Sequence, residues 1–219
     1  VEKAENVTEN GGENTQEKRY FAKVLWGGLL KSRKSAALPG AKIYPPTLTN
    51  SDLANIKIAK EMGVTGVMQP FVRDHSDLEC VKEALREAGA EDIRLFAKIE
   101  NMDGVRKLEE LLPAADEIVI ARGDLGNSVH LWDLPGVQRQ ISEKCRAAGK
   151  PFMVVTQMLA SMERSPVPTR AEVNDIFHAV MDGAASIMVT GETAVGDYPV
   201  EVIRYMVNTV RSAEKEENR

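Results

Sequence analysis

From Gly63 onward the chain alternates between short, nearly continuous apolar runs and longer stretches in which apolar residues return every third or fourth position. The runs are VTGVMQPFV from Val64, IRLFAKIE from Ile93, EIVIARGD from Glu117, PFMVVTQML from Pro151 and SIMVTGET from Ser186. Apolar side chains at successive positions suit strands covered on both faces, as in a parallel sheet. The spacing between the runs predicts helices around Asp77 to Ala88, from Gly104 to Leu112, from Leu134 to Ala148 and from Thr169 to Asp182, with a closing helix from Val200. An earlier helix is expected where Leu53, Ile56, Ala59 and Met62 recur up to Gly63, with Thr49 or Ser51 as its N-cap. Thr169-Arg170-Ala171-Glu172 is a capping box, and Gly149 with Pro151 closes the preceding helix with residues that cannot continue it. At the other end, polar Glu2 to Lys18 and then apolar Arg19 to Leu25 read as a β-hairpin, too small to be stable alone. The terminal Glu214-Lys215-Glu216-Glu217-Asn218-Arg219 reads as a solvated tail.

Repeated strand–helix units place the chain in the α/β class. About five such strands follow one another without a GxGxxG fingerprint. The expected architecture is therefore a partial (β/α)8 barrel of the TIM type, about five parallel βα units of the eight that a closed barrel needs, preceded by a short β-hairpin. In such folds the chemistry gathers at the C-terminal ends of the strands.

Composition narrows the classes. The 219 residues are 43% hydrophobic, enough for one substantial core, and 33 acidic against 28 basic residues leave a formal charge of −5. That balance lacks the basic footprint of a nucleic-acid binder. No apolar run approaches the roughly 18 residues of a membrane span. Cys80 and Cys145 lack CxxC spacing and read as structural thiols of a reducing compartment, so the chain is expected to be cytoplasmic. His75, His130 and His178 show no metal spacing. Trp132 is expected to pack the loop after Gly126 onto the following helix.

The strand ends carry polar residues that a buried strand would not choose. Lys98 and Glu100 are two apart, so both face the mouth of the barrel while Ile99 faces the helices. They read equally as a working pair and as a plain internal ion pair. Asp124 ends the next strand between Gly123 and Gly126, and with Glu100 it makes an all-oxygen pair of the kind Mg2+ or Mn2+ takes. Alone, Asp124 reads as turn and cap chemistry. Thr156 alone reads as a β-former with its hydroxyl satisfied by backbone. Glu192 is expected to be an internal partner of Arg122 or Lys98.

These residues stand in recognisable runs. FAKIENMDGV from Phe96 resembles the signature of the pyruvate kinase family around its active-site lysine. ARGDLG from Ala121, GKP from Gly149 with TQML from Thr156, PTRAE from Pro168, and GETA from Gly191 with GDYP from Gly196 are similar to the same family in the same order. GGLLKSRK, ending at Lys34, and Leu38-Pro39-Gly40 resemble that family's return from its small β-rich lid domain into the barrel. The resemblance implies the end of the lid over residues 1–36 and the C-terminal part of the catalytic barrel over residues 37–219. It implies transfer of phosphate from phosphoenolpyruvate to ADP, giving pyruvate and ATP. Lys98 then stabilises the enolate and the phosphoryl group, and Glu100 and Asp124 hold Mg2+ or Mn2+. Gly123 lends its N–H to the substrate carboxylate, Thr156 orients the substrate and helps deliver a proton, and Lys34 lies near the nucleotide phosphates. The family's K+ is expected too, although its ligands belong to an earlier barrel segment absent from this sequence. A homo-oligomer is expected of the full-length form, with no nucleic-acid or membrane partner.

The sequence departs from the pattern at Pro70, where relatives often carry serine, and in the loop from Asn127 to Pro135, which replaces an Ile-Glu-Ile-Pro pattern. Two other readings stand beside the first: a catalytically inactive fragment with a binding or assembly role, and a metal-dependent aldolase or lyase acting on pyruvate enolates. The run through Gly191-Glu192-Thr193 and the lid remnant speak against the latter.

Overall fold

A computed structural model describes residues 3–7, 17–25, 27–29, 32 and 44–217. The chain divides into two compact units, Val1–Ala37 and Leu38–Arg219. The first contains an antiparallel pair, β1 (Lys3–Val7) and β2 (Glu17–Phe21), in register from Lys3 opposite Phe21 to Val7 opposite Glu17.

The second unit is α/β. Its elements run α1 (Asn50–Ala59), β3 (Gly66–Gln69), α2 (His75–Glu87), β4 (Arg94–Ile99), α3 (Met102–Arg106), α4 (Leu108–Leu111), β5 (Glu117–Ala121), α5 (Arg122–Leu125), α6 (Leu134–Ala147), β6 (Phe152–Val155), a 3-10 turn (Ala160–Glu163), α7 (Arg170–Met181), β7 (Ser186–Met188), α8 (Gly191–Ala194) and α9 (Pro199–Glu217). The five strands form one parallel sheet in the order β3-β4-β5-β6-β7. Sequence order thus equals spatial order, the progression of a (β/α)8 barrel, of which five strands are present among the described residues.

Local chemistry explains most boundaries. Thr49 caps α1 and Thr169 caps α7, each through a reciprocal capping box, with Asp52 and Glu172 respectively. Helix α6 ends in a Schellman motif: Lys150 N–H donates to Cys145 O at 2.8 Å and Gly149 N–H to Arg146 O at 3.0 Å. Gly149 takes the φ of +62° that this motif demands. One expectation is corrected and one refined. The helix expected from Gly104 to Leu112 is two short helices broken at Lys107, whose φ of −98° and ψ of 15° leave the helical region. The terminal run is solvated as expected, with Glu214, Lys215 and Glu216 exposed, but it is helical as far as Glu217, because α9 packs along α7 and carries its own apolar face, including buried Val202 and Ala213.

The period of two along each strand separates two cores. One face buries Leu95, Ala97, Ile99, Ile118, Ile120, Phe152 and Val154 against Leu78, Val105, Leu108, Ile141, Cys145 and Ile176 of the helices. The other buries Val119, Ala121 and Val155, with half-buried Phe96, Met153 and Met188 around them. Lys98, opposite Val119 in the β4–β5 register, belongs to this second face.

Candidate functional site

The C-terminal edge of the sheet departs from regular backbone. Among the described residues the non-glycine residues with positive φ are Phe71, Thr156 and Gln157, at 50°, 80° and 55°. They stand just past β3 and β6, on one edge of the sheet. Strained backbone of this kind gathers where a fold must aim side chains.

Between them stands the Lys98–Glu100 pair. Lys98 Nζ lies 2.7 Å from Glu100 Oε1, with side chains 24% and 2% exposed. The other oxygen, Oε2, accepts the Phe71 N–H at 2.7 Å, so the turn after β3 is tied to the end of β4. A carboxylate buried this deeply is tolerated because both oxygens are engaged, one of them by a cation.

On the next strand, β5 runs straight into α5, which carries Gly123 and Asp124, both exposed. The turn after β6 leans onto this helix. A Cβ at position 123 would lie 2.8 Å from Thr156 Cγ2 and 3.5 Å from Thr156 Oγ1, so the lack of a side chain at Gly123 is what admits Thr156. The structure therefore brings Lys98 to Glu100 and Thr156 to Gly123; Asp124, expected to end a strand, instead lies in α5, one turn past the end of β5, because the backbone turns helical at Arg122. Lys34 lies outside the described residues.

Arg122 and Glu192 do not pair as expected. Arg122 Nη1 lies 2.8 Å from Asp175 on α7, and Nη2 donates to Thr156 O at 2.7 Å. Glu192 is buried and accepts the N–H of Thr190 at 2.8 Å and of Leu159 at 3.3 Å, so backbone donors satisfy it without a cation. Asp175 and the Arg122–Thr156 contact escaped the sequence reading. The available signal was a strand-end arginine in an apolar setting, which demands a carboxylate, with nothing to select Asp175 over Glu192.

The rim is braced further by Glu172, which accepts Ser161 N–H at 2.7 Å and Ser161 Oγ–H at 2.5 Å. Burial pushes its carboxyl up, but the Ser161 and Thr169 donors outweigh that and hold it below the usual range. Trp132 does not pack its loop onto the helix: it is 77% exposed and stacks on His130, ring centroids 4.6 Å apart and planes 12° apart.

Among the described residues no group of three or more His, Cys, Asp or Glu is placed to hold a metal. Glu100 has both oxygens engaged, by Lys98 Nζ and the Phe71 N–H, and Asp124 is exposed on α5. Two carboxylates suit Mg2+ better than a softer ion, since Mg2+ binds through one or two carboxylates and completes its shell with water and substrate oxygens.

Fold and site together define a parallel barrel-type α/β domain whose charged and strained residues collect at the carboxyl edge of its sheet. The family model described as the pyruvate kinase barrel domain matches residues 8–203. The chain is 40% identical over 202 residues to the pyruvate kinase of Bacillus licheniformis, covering 92% of this chain and 34% of that protein. It is 43% identical over 183 residues to that of Geobacillus stearothermophilus, covering 84% and 31%. With that of Dictyostelium discoideum it shares 42% identity over 185 residues, covering 84% and 36%. The chain belongs to the pyruvate kinase family. It spans about a third of the length of these relatives.

Proposed function

We propose that this chain carries the enolate-handling half of a pyruvate kinase site, which transfers the phosphoryl group of phosphoenolpyruvate to ADP and yields pyruvate and ATP. The observation that carries the reading is the Lys98–Glu100 pair at 2.7 Å, on the sheet edge where Thr156 packs against Gly123. Phosphoryl transfer asks a protein mainly for positioning and for stabilisation of charge. In the reaction the bond between phosphorus and the enol oxygen breaks, a terminal phosphate oxygen of ADP takes the phosphoryl group, and the enolate left behind accepts a proton at its methylene carbon. The Lys98 ammonium, oriented by Glu100, stabilises charge on the enolate oxygen and on the phosphoryl group. The Gly123 N–H donates to the substrate carboxylate, and the Thr156 hydroxyl helps bring the proton to the methylene carbon. Glu100 and Asp124 would hold a divalent ion, Mg2+ or Mn2+, which would supply positive charge to the substrate oxygens.

In the whole protein residues 1–36 are the end of the lid and 37–219 the barrel part, Lys34 matches the family's basic position near the nucleotide phosphates, and K+ is bound by residues other than these. The cellular setting is the cytoplasm and the working form a homo-oligomer. Among the described residues no helix is long and apolar enough to cross a membrane. Because β3 and β7 are edge strands among the described residues, open to pairing with a further strand, a second reading also has support: a catalytically inactive stretch with a binding or assembly role.

The test couples ADP-dependent pyruvate formation to NADH oxidation with Mg2+ and K+ present, for this chain and for Lys98→Met. Turnover that disappears in the variant is expected. Pyruvate binding without turnover in either protein would replace the first reading with the second.

A further inference from the structure

Strand β6 stops at Val155 because Thr156 and Gln157 turn into the left-handed region, with φ of 80° and 55°. Neither is glycine and Thr156 is β-branched, the kind of residue least suited to that region. Such a turn persists only where surrounding contacts over-determine it. One arginine supplies the tie. Arg122 opens α5 at the end of β5, its side chain only 13% exposed. Its Nη2 donates to Thr156 O at 2.7 Å. Its Nη1 is held 2.8 Å from the Asp175 carboxylate on α7 and 3.5 Å from Gln138 Oε1 on α6. The rigid guanidinium fork serves both partners at once, which a lysine ammonium on a flexible stem does not.

We infer that Arg122, anchored by Asp175, is a positioning residue that holds Thr156 left-handed and so sets its side chain against Gly123. The inference rests on the role given to Thr156 above and extends it from one side chain to a relay: a carboxylate on α7 fixes the guanidinium, and the guanidinium fixes the carbonyl of Thr156. The same arginine precedes Gly123 in the chain, so one residue ties the turn after β6 to the start of α5. Swapping Arg122 leaves Lys98, Glu100 and Asp124 untouched.

The test uses the 219-residue chain with Mg2+ and pyruvate and reads two signals: exchange of the pyruvate methyl protons into D2O by proton NMR, and the 13C shifts of Thr156 in threonine-labelled protein, identified by their loss in Thr156→Ala. Arg122→Met is expected to move the Thr156 shifts toward extended values and to slow exchange about 100-fold, the scale of a 1 Å misplacement. KM for pyruvate should stay within about threefold, since the loss falls on the proton step. Arg122→Lys should recover part of the rate, and Asp175→Asn should shift Thr156 in the same direction if Arg122→Met folds poorly. In a Thr156→Ala background, Arg122→Met should change the rate by no more than about twofold, because both act through one hydroxyl. Unmoved Thr156 shifts in Arg122→Met and Asp175→Asn, or a full further loss in the Thr156→Ala background, would overturn the inference. Absent exchange in the wild-type chain, with the Thr156 shifts moving as expected, would overturn the functional reading while supporting the clamp.

Discussion

Asp77 offers the sharpest test of the fold's electrostatics. Its side chain is 4% exposed at the start of α2 and accepts Thr47 Oγ–H at 2.6 Å, Arg73 N–H at 2.8 Å, and the Arg73 guanidinium through Nη2 at 2.6 Å and Nε at 3.0 Å. Arg73 also donates to Pro45 O at 3.2 Å, so the cluster staples residues 45–47 to the start of α2. Burial by itself would push the Asp77 carboxyl up, but the Arg73 and Thr47 donors outweigh it and bring it from 3.8 down to about 2. At roughly 1.4 kcal/mol per unit this corresponds to about 2 kcal/mol of stability near neutral pH. The folded value is the lower one, so the contribution is fully present above the unfolded value of 3.8 and is lost as pH falls toward the folded value of about 2. At pH 3 about half should remain. Asp77→Asn removes the charge and leaves Arg73 without its partner. Urea unfolding followed by far-UV circular dichroism should show the variant about 2–3 kcal/mol less stable at pH 7, and the gap should narrow by about 1 kcal/mol at pH 3. Asp74, whose carboxyl is held low by Ser76 and Lys107, titrates in both proteins and cancels from the comparison. A gap that stays constant between pH 7 and pH 3, or a variant as stable as the parent at pH 7, would refute the reasoning.

Gly123→Ala should leave the fold intact and cut methyl-proton exchange by about tenfold or more, because the new Cβ would meet Thr156 Cγ2 at 2.8 Å and push it away; NMR exchange with a circular dichroism control checks this, and an unchanged rate contradicts the packing argument. Burial pushes the Cys145 thiol up to about 12, whereas Cys80 is exposed. Titration with a thiol reagent at pH 8 should therefore find one fast thiol in the native chain and two in denaturant, and Cys80→Ser should abolish the fast phase.

Where local chemistry decides, the sequence was enough. The five apolar runs became the five strands because their period and length are intrinsic to each segment. Thr49 and Thr169 cap their helices because each cap reaches only three residues ahead. Lys98 and Glu100 meet because strand geometry places residues two apart on one side. The break at Lys107, the helical course through Glu217 and the exposed stack of Trp132 on His130 were not legible, since each depends on which surfaces neighbouring elements leave free. The left-handed turn at Thr156 ran against the residue's own preference, and only the tertiary structure decided it. Arg122 reaches across 34 residues to the Thr156 carbonyl and 53 to Asp175, and no spacing in the chain distinguishes Asp175 from Glu192 as its partner. Side-chain pairing over such separations is settled by which strands and helices become neighbours, a property of the packed sheet and not of any segment within it.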